Sequence, residues 1–171
     1  MHLIGTDGSY RRTTNKASWA TSYNKTNYVD LVEHYRITGI TPELSILYDT
    51  TQPCPATNNR GELLAILVAV QIIENLIPIG EEVEIVSDSE YCIKTLTEWY
   101  ANWVEKGLLG TKLNIDIISV IMDKMAKLTN SGHIIEFHKV KSHTKDYANL
   151  PDWECYAINE VVDKLAQAHT L

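Results

Sequence analysis

Alternating hydrophobic and polar positions dominate the first third of the chain and predict strands. Residues 2–9 (HLIGTDGS) form a short apolar run that reaches a turn at Gly8, a pattern typical of a buried strand. From Ser18 to about Thr50, aromatic and β-branched residues alternate with polar ones, as in ASWATSY, VDLVEHYRI and LSILYDT. This alternation predicts two further strands that pair antiparallel with the first.

After residue 50 the pattern changes to alternating helices and strands. The segment TTQPCPATNNR is typical of a loop, with Thr57 and Asn58 as caps of a helix over residues 59–76, where apolar side chains recur every three or four positions. The later segments predict a strand over 81–88, a helix from Ser89, a helix over 113–128, a strand over 133–140 and a last helix with Pro151 as its first residue.

This order of elements predicts an α/β fold. We expect a five-stranded mixed sheet, three antiparallel strands followed by parallel ones, flanked by about four helices. At 171 residues the chain suits a single domain over residues 1–171. Ligands of such folds tend to bind at the carboxyl ends of the parallel strands, so polar residues at those ends are the first candidates for a site.

Composition and charge exclude few classes of function. The net charge of −7 argues weakly against nucleic acid as a partner, but acidic residues that hold Mg²⁺ would lower the charge of a protein with a polyanionic substrate. No apolar run is long enough to span a bilayer and no signal peptide is visible, so we expect an intracellular, cytoplasmic protein. The three widely spaced cysteines suit a reducing compartment. No protein partner is implied, and we expect a monomer.

Four acidic residues stand where purely structural roles explain them poorly. Asp7 and Asp88 lie at the ends of apolar strands. Glu62 borders the apolar face of one helix, and Asp163 lies within the last helix. Each has an alternative: Asp7 as a turn residue, Asp88 as a helix cap, Glu62 as the partner of Arg60, and Asp163 as the partner of Lys164. Gathered together, the carboxylates would raise one another's pKa values, and a hard cation such as Mg²⁺ would relieve their repulsion.

Five short motifs together resemble the type 1 ribonuclease H family. They are TDGS (6–9), TNNRGELLAI (57–66), SDSEY (87–91), KVKSH (139–143) and NEVVDKLA (159–166), and they follow that family's order along nearly the whole chain. The resemblance implies the ribonuclease H fold and hydrolysis of the RNA strand of an RNA–DNA hybrid. It further implies two Mg²⁺ ions, for which Mn²⁺ is the expected substitute, and products with 5′-phosphate and 3′-hydroxyl ends.

The same resemblance implies roles for individual residues. The catalytic and metal-binding carboxylates would be Asp7, Glu62, Asp88 and Asp163, with Asp7 bridging the two ions. His143 matches the family's mobile active-site histidine, which assists proton transfer or product departure. Contacts with the hybrid are implied for a set of polar, aromatic and basic residues. These are Thr57, Asn58, Asn59, Ser89, Trp99, Lys106 and Asn114.

Three features depart from the family pattern. The run YRRTTNKAS replaces a glycine-rich turn after TDGS, so Arg11, Arg12 and Lys16 become candidates for phosphate contacts. Glu90 stands where the family often has glutamine. The segment NLPDWECYAI lengthens the connection after His143, which bears on where that histidine lies relative to the carboxylates.

Other interpretations stay open beside the ribonuclease. The chain could be a ribonuclease H-like module that binds nucleic acid without cutting it, another nuclease of the same fold, or a detached reverse transcriptase domain. The complete set of carboxylates argues against the first of these.

Trp99 and Trp103 have the i,i+4 spacing of ordinary core packing as well as that of a substrate-gripping handle. His133, His138 and His143 recur every five residues, but strand alternation puts the first two on opposite faces and disfavours a shared zinc ion.

Overall fold

The computed structural model describes residues 1–40 and 56–171, and the predicted strand LSILYDT with most of the following loop lies outside these ranges. The described residues contain one sheet of five strands. They are β1 (His2–Arg11), β2 (Lys16–Tyr23), β3 (Thr26–Leu31), β4 (Glu82–Ser87) and β5 (Ile134–Lys139).

The strands lie in the order β3-β2-β1-β4-β5. β2 pairs antiparallel with β1 and β3, whereas β4 pairs parallel with β1 and β5, so the predicted mixed sheet is confirmed. The predicted turn at Gly8 is wrong. β1 stays extended as far as Arg11, which pairs with Lys16, because the antiparallel ladder with β2 continues through this part of the strand.

Helices cover both faces of the sheet. They are α1 (Asn58–Leu76), α2 (Glu90–Lys94), α3 (Tyr100–Glu105), α4 (Ile115–Asn130) and α5 (Trp153–His169), with a π-helical turn (Thr95–Trp99) joining α2 to α3. The last helix does not begin at Pro151. That residue belongs to a turn in which the Trp153 N–H donates to the Leu150 carbonyl at 3.2 Å, and helical geometry starts only after it.

Buried hydrophobic clusters on both faces of the sheet hold these layers together. On one face α1 packs its fully buried Leu63 and Leu67 against Ile4 and Ile85 of the sheet, and α4 packs against α1 in turn. On the other face α5 packs Val162 and neighbouring small residues over β2 and β1. Although α1 is buried on nearly all sides, no helix in the described part of the chain is long and apolar enough to cross a membrane.

Backbone-to-backbone contact between α1 and the first two strands depends on Gly8 and Gly61. A Cβ on Gly8 would lie 2.4 Å from the backbone N of Glu62, and a Cβ on Gly61 would lie 2.3 Å from the carbonyl oxygen of Ser18. No other residue type fits at such distances. The start of α1 can therefore sit directly on the sheet, which brings Glu62 to the level of the sheet edge.

A buried ion pair fixes the same end of α1 to α4. Arg60 Nη1 and Nη2 donate to Asp116 Oδ1 at 3.0 Å and Oδ2 at 2.7 Å, and Nη1 also donates to Asn114 Oδ1 at 3.1 Å. Both charged side chains are less than a tenth exposed. Replacing either Arg60 or Asp116 with a neutral residue would leave the other charge buried without this partner. Such a loss costs about 3–5 kcal/mol.

We expect Gly61→Ala to destabilise the protein by about 1–3 kcal/mol, the range typical of overpacked cores. The added Cβ meets the Ser18 carbonyl at 2.3 Å, so α1 has to move away from the sheet. Urea unfolding measures the loss, with Asn75→Ala at an exposed position of the same helix as the control. Equal stability of Gly61→Ala and wild type would contradict the close approach of α1.

Candidate active site

Four carboxylates converge at one end of the sheet from four different elements. Asp7 comes from β1, Glu62 from the first turns of α1, Asp88 from the residue after β4, and Asp163 from the middle of α5. All four line one open, polar pocket of about 310 Å³, together with His143. The structure thus brings together the five residues that the sequence predicts as catalytic.

A gap between β1 and β4 at one end of the sheet accommodates these side chains. The parallel pairing of β1 with β4 ends at Gly5 and Val86, so on that side the rest of β1 has no strand beside it within residues 1–40 and 56–171. Asp7 lies in this unpaired stretch and is only 2% exposed. The carboxyl end of β4 therefore leaves a gap in which other carboxylates can approach Asp7, as expected for a ligand site in this class of fold.

Asp7, Glu62 and Asp88 form a compact cluster. One oxygen atom from each carboxylate lies within 4.8 Å of the other two. Asp7 Oδ1 accepts a hydrogen bond from the Gly8 N–H at 2.9 Å, but the buried atoms Asp7 Oδ2 and Glu62 Oε2 have no hydrogen-bond partner among the described residues. Buried acceptors are normally satisfied, and an all-oxygen cluster is the donor set that Mg²⁺ or Mn²⁺ takes. The residues present therefore fit a divalent cation.

Burial and mutual repulsion perturb the acidity of this cluster strongly. Burial, followed by the neighbouring charges of Glu62 and Asp88, raises the pKa of Asp7 far above its ordinary value. Burial raises the pKa of Glu62 to about 8, even though the neighbouring Asp7 carboxyl acts in the opposite direction. Burial and the charge of Asp163 raise the pKa of Asp88. Without a cation, the folded protein cannot carry all of these negative charges at neutral pH.

The N-cap of α2 is Ser89 and not Asp88. Ser89 Oγ accepts a hydrogen bond from the Cys92 N–H at 3.1 Å and caps α2, while Ser87 Oγ accepts one from the Ser89 N–H at 3.1 Å. The two serines therefore build the turn between β4 and α2, and the Asp88 carboxylate is directed to the pocket. The helix-cap alternative for Asp88 does not hold.

His143 and Asp163 face each other across the pocket entrance. His143 Nδ1 lies 3.8 Å from Asp163 Oδ2, and the histidine side chain is 70% exposed. Its backbone has φ of +56°, a left-handed conformation that is unusual for a residue with a side chain and that clusters at functional sites. Asp163 is held from the other side by Gln167 Nε2, which donates to both of its oxygens at 3.0 and 3.1 Å.

The predicted substrate-contact residues fall into two groups. Asn58 and Ser89 line the pocket, and Asn59 is exposed at the start of α1. Thr57 and Asn114 are already engaged: Thr57 Oγ1 accepts from the Arg60 N–H at 3.1 Å, and the Asn114 amide bridges Arg60 and the Tyr91 hydroxyl. Thr57, not Asn58, is the N-cap of α1.

The tryptophan-bearing segment is only partly packed. Trp99 is 39% exposed, and its ring lies 6.4 Å from that of Trp103. Trp103 packs against the main core, with the Lys112 ammonium 5.0 Å from its ring centre. Lys106 lies exposed after the end of α3. Ordinary core packing therefore accounts for Trp103 but not for the exposed face of Trp99.

Sequence reasoning missed two residues that support the site. Gln167 stands four positions after Asp163, and this i,i+4 spacing on a helix was an available signal. Arg60 pairs with Asp116 and not with Glu62, and no local pattern indicates a pairing across 56 positions. The alternative that Lys164 neutralises Asp163 also fails, because the Lys164 ammonium contacts Glu160 at 2.8 Å.

Comparison with known proteins gives a consistent family match. Residues 2–170 match the family model RNase H. The chain is 35% identical over 120 residues to a ribonuclease H of Anaeromyxobacter dehalogenans, an alignment covering 68% of this chain and 55% of the relative. It is 31% identical over 97 residues to ribonuclease HI of Pseudomonas aeruginosa, covering 54% and 60%. The chain thus spans little more than half the length of these curated relatives.

Solved structures share the fold at lower sequence identity. The solution structure of the PFV RNase H domain has a TM-score of 0.64 at 16% identity, covering 99% of this chain and 93% of that one. A structure of the foamy viral protease-reverse transcriptase in complex with dsDNA has a TM-score of 0.62 at 19% identity, with the same coverage. At these identities the likeness concerns the fold alone.

We expect Asp7→Asn to raise the melting temperature of the metal-free protein at neutral pH. Aspartate and glutamate titrate near pH 4 in the unfolded chain, whereas the folded pKa values of Asp7 and Glu62 are raised, the latter to about 8. Between these limits the unfolded chain binds fewer protons, so wild-type stability falls as pH rises. The advantage of the variant should therefore be small near pH 4 and grow toward about pH 8.

Thermal unfolding in a chelator at several pH values tests this expectation. Each kcal/mol of relieved repulsion corresponds to about 2–4 °C in a chain of this size. Asp123→Asn makes the same charge change at a residue that is 60% exposed and serves as the control. If the difference in melting temperature between Asp7→Asn and wild type did not change with pH, the stabilisation would not come from relief of repulsion in the carboxylate cluster.

Proposed function

Because the chain belongs to the ribonuclease H family, we propose that it hydrolyses the RNA strand of RNA–DNA hybrids by a two-metal-ion mechanism. The products would carry 5′-phosphate and 3′-hydroxyl ends. One observation carries the proposal: four carboxylates from four elements meet in a single pocket, and two of their buried oxygens have no hydrogen-bond partner within the part of the chain that the structure describes. A module that only bound nucleic acid would have no use for this repulsive cluster.

The carboxylates of Asp7, Glu62, Asp88 and Asp163 would hold the Mg²⁺ ions, or Mn²⁺ in their place. When bound, such cations supply the positive charge that phosphodiester hydrolysis needs at the attacking and leaving oxygens. Asp7 would be the central ligand, because one of its carboxylate oxygens lies within 4.8 Å of oxygens of both Glu62 and Asp88. The close contact between α1 and β1 at Gly8 holds the Glu62 carboxylate near that of Asp7.

Substrate binding would use the exposed polar rim of the pocket. Asn58 and Asn59 present short amide side chains at the start of α1, next to the cluster. Such groups suit a hybrid, which is recognised by groove shape, 2′-hydroxyls and backbone and not by base sequence. Exposed Trp99 and Lys106 would extend the contact along the duplex, and Thr57 and Asn114 would meet the DNA strand. We propose that the protein acts as a monomer.

His143 would assist one proton transfer without providing the main driving force. Its side chain is exposed at the pocket entrance, 3.8 Å from Asp163, so it can reach both the reacting groups and solvent. A histidine exchanges protons readily at neutral pH. His143 lies in a loop, and its backbone is in the left-handed conformation. A side chain on a loop can change position during turnover.

We expect Asp7→Asn and Asp88→Asn each to abolish cleavage of a labelled RNA–DNA hybrid in Mg²⁺. Replacement of one carboxylate by an amide removes a charged oxygen ligand from the site while keeping the shape of the side chain. Both variants should stay folded, as circular dichroism can verify. RNA–RNA and DNA–DNA duplexes, tested beside the hybrid, distinguish a ribonuclease H from another nuclease of the same fold.

Asp123→Asn is the matched control and should cleave at the wild-type rate. Near-normal activity of either active-site variant would contradict the assignment of the site. Wild-type protein that binds the hybrid but never cuts it, in Mg²⁺ or in Mn²⁺, would favour a non-catalytic binding module instead.

We expect His143→Ala to slow turnover by about 10- to 100-fold, less than the loss from either carboxylate, because general acid–base assistance is a partial contribution. Single-turnover cleavage measures the effect. His34→Ala, at another exposed histidine that contacts an aspartate, is the control. A variant as inactive as Asp7→Asn would mean that the histidine has a more central role.

A further inference from the structure

A second group of metal-ligating side chains lies away from the carboxylate pocket. Glu84 of β4, His138 of β5 and Cys155 in the first turn of α5 each offer one ligand atom, and these three atoms lie within 4.8 Å of one another. None of the three lines the active-site pocket. Cys155 belongs to the segment NLPDWECYAI, which lies between His143 and Asp163.

Strand geometry explains why the three residues meet. In the parallel pairing of β4 with β5, Glu84 is opposite Glu136 and Val86 is opposite His138. Side chains two positions apart on a strand share a face, so Glu84 and His138 point to the same side of the sheet. The start of α5 packs on that side, with Cys155 buried against Val86.

The two distances from Glu84 match those between ligands of a tetrahedral metal ion, and the third, between His138 and Cys155, is at most 4.8 Å. Glu84 Oε2 lies 3.4 Å from His138 Nδ1 and 3.8 Å from Cys155 Sγ. Donor atoms about 2.0–2.3 Å from a tetrahedral Zn²⁺ are separated from one another by about 3.3–3.8 Å. A small inward movement of the Cys155 sulfur would complete a three-ligand site and leave the fourth position for water.

Asp152 orients the histidine for this role. Its Oδ2 lies 2.8 Å from His138 Nε2, the ring nitrogen on the far side from Glu84. A proton held on Nε2 by this carboxylate leaves the Nδ1 lone pair directed at Glu84. Metal-binding histidines almost always donate their other N–H to a carboxylate, carbonyl or water in this manner.

We propose that Glu84, His138 and Cys155 form a second metal site that takes Zn²⁺ or a chemically similar ion. The combination of thiolate, imidazole and carboxylate favours such an ion over Mg²⁺, which prefers oxygen ligands only. Glu84 and His138 are 21% and 29% exposed, so an ion can reach the site from solvent. A bound ion would tie the start of α5, the helix that carries Asp163, to β4 and β5.

Titration of the metal-free, full-length protein with Co²⁺ tests the proposal. Excess Mg²⁺ keeps the carboxylate pocket from competing for cobalt. We expect one equivalent of Co²⁺ to give a thiolate-to-cobalt charge-transfer band in the near ultraviolet, and Zn²⁺ to displace it and raise the melting temperature. Cys155→Ala should abolish the band, whereas Cys92→Ala, which removes a buried thiol from the core on the other face of the sheet, should keep it.

Substitutions at the partly exposed positions test the site even if Cys155→Ala fails to fold. Asp152→Asn should weaken cobalt binding by about 10- to 100-fold, as is typical for loss of the carboxylate behind a histidine ligand. Glu84→Gln should weaken it as well. Absence of the charge-transfer band in wild type, or its persistence in folded Cys155→Ala, would overturn the proposal. His138 would then be a hydrogen-bonded link between Glu84 and Asp152 without a metal.

Discussion

The direct contact between the backbones of α1 and the first two strands is the constraint on which the remaining architecture depends. Gly8 and Gly61 permit a separation that no side chain would allow, and Glu62 follows Gly61 immediately. If α1 stood even one methyl group further from the sheet, its carboxylate would leave the range of Asp7. The buried Arg60–Asp116 pair then fixes the same helix end to α4, so α1 is held from two sides. Packing and site geometry are therefore set by the same few residues.

The carboxylate cluster is held together by this rigid surrounding structure and not by its own interactions. Burial and mutual repulsion raise the pKa values of Asp7, Glu62 and Asp88, which means that the folded protein bears an electrostatic cost in the absence of a cation. The apolar packing of α1 and α5 on the two faces of the sheet has to offset that cost. A site of this kind trades stability for readiness to bind a cation, as strained functional sites commonly do.

Local sequence patterns predicted the mixed sheet and its helices and singled out the four carboxylates that meet in the pocket, whereas His143 was recognised through the resemblance to the family. Asp7 and Asp88 were recognisable because a charged residue at the end of an apolar strand is conspicuous. What could not be predicted depends on distant partners. The extension of β1 to Arg11 requires β2, and the Arg60–Asp116 pair joins two helices. The cap of α2 was ambiguous among adjacent polar residues, and only the hydrogen bond of Ser89 to Cys92 distinguishes it from Asp88.

The pairing of the first strand has a consequence for the order of folding. Thr6 of β1 donates to Val86 of β4 across 80 positions, and Ser18 of β2 donates to Ala166 of α5 across 148. Contacts between such distant parts of a chain form slowly, because a long loop has to close before they stabilise anything. The β1–β2–β3 meander can form early from neighbouring residues, whereas the docking of β4 and α5 has to wait. Asp88 and Asp163, which follow β4 and lie in α5, respectively, can therefore join Asp7 only after these long-range contacts close.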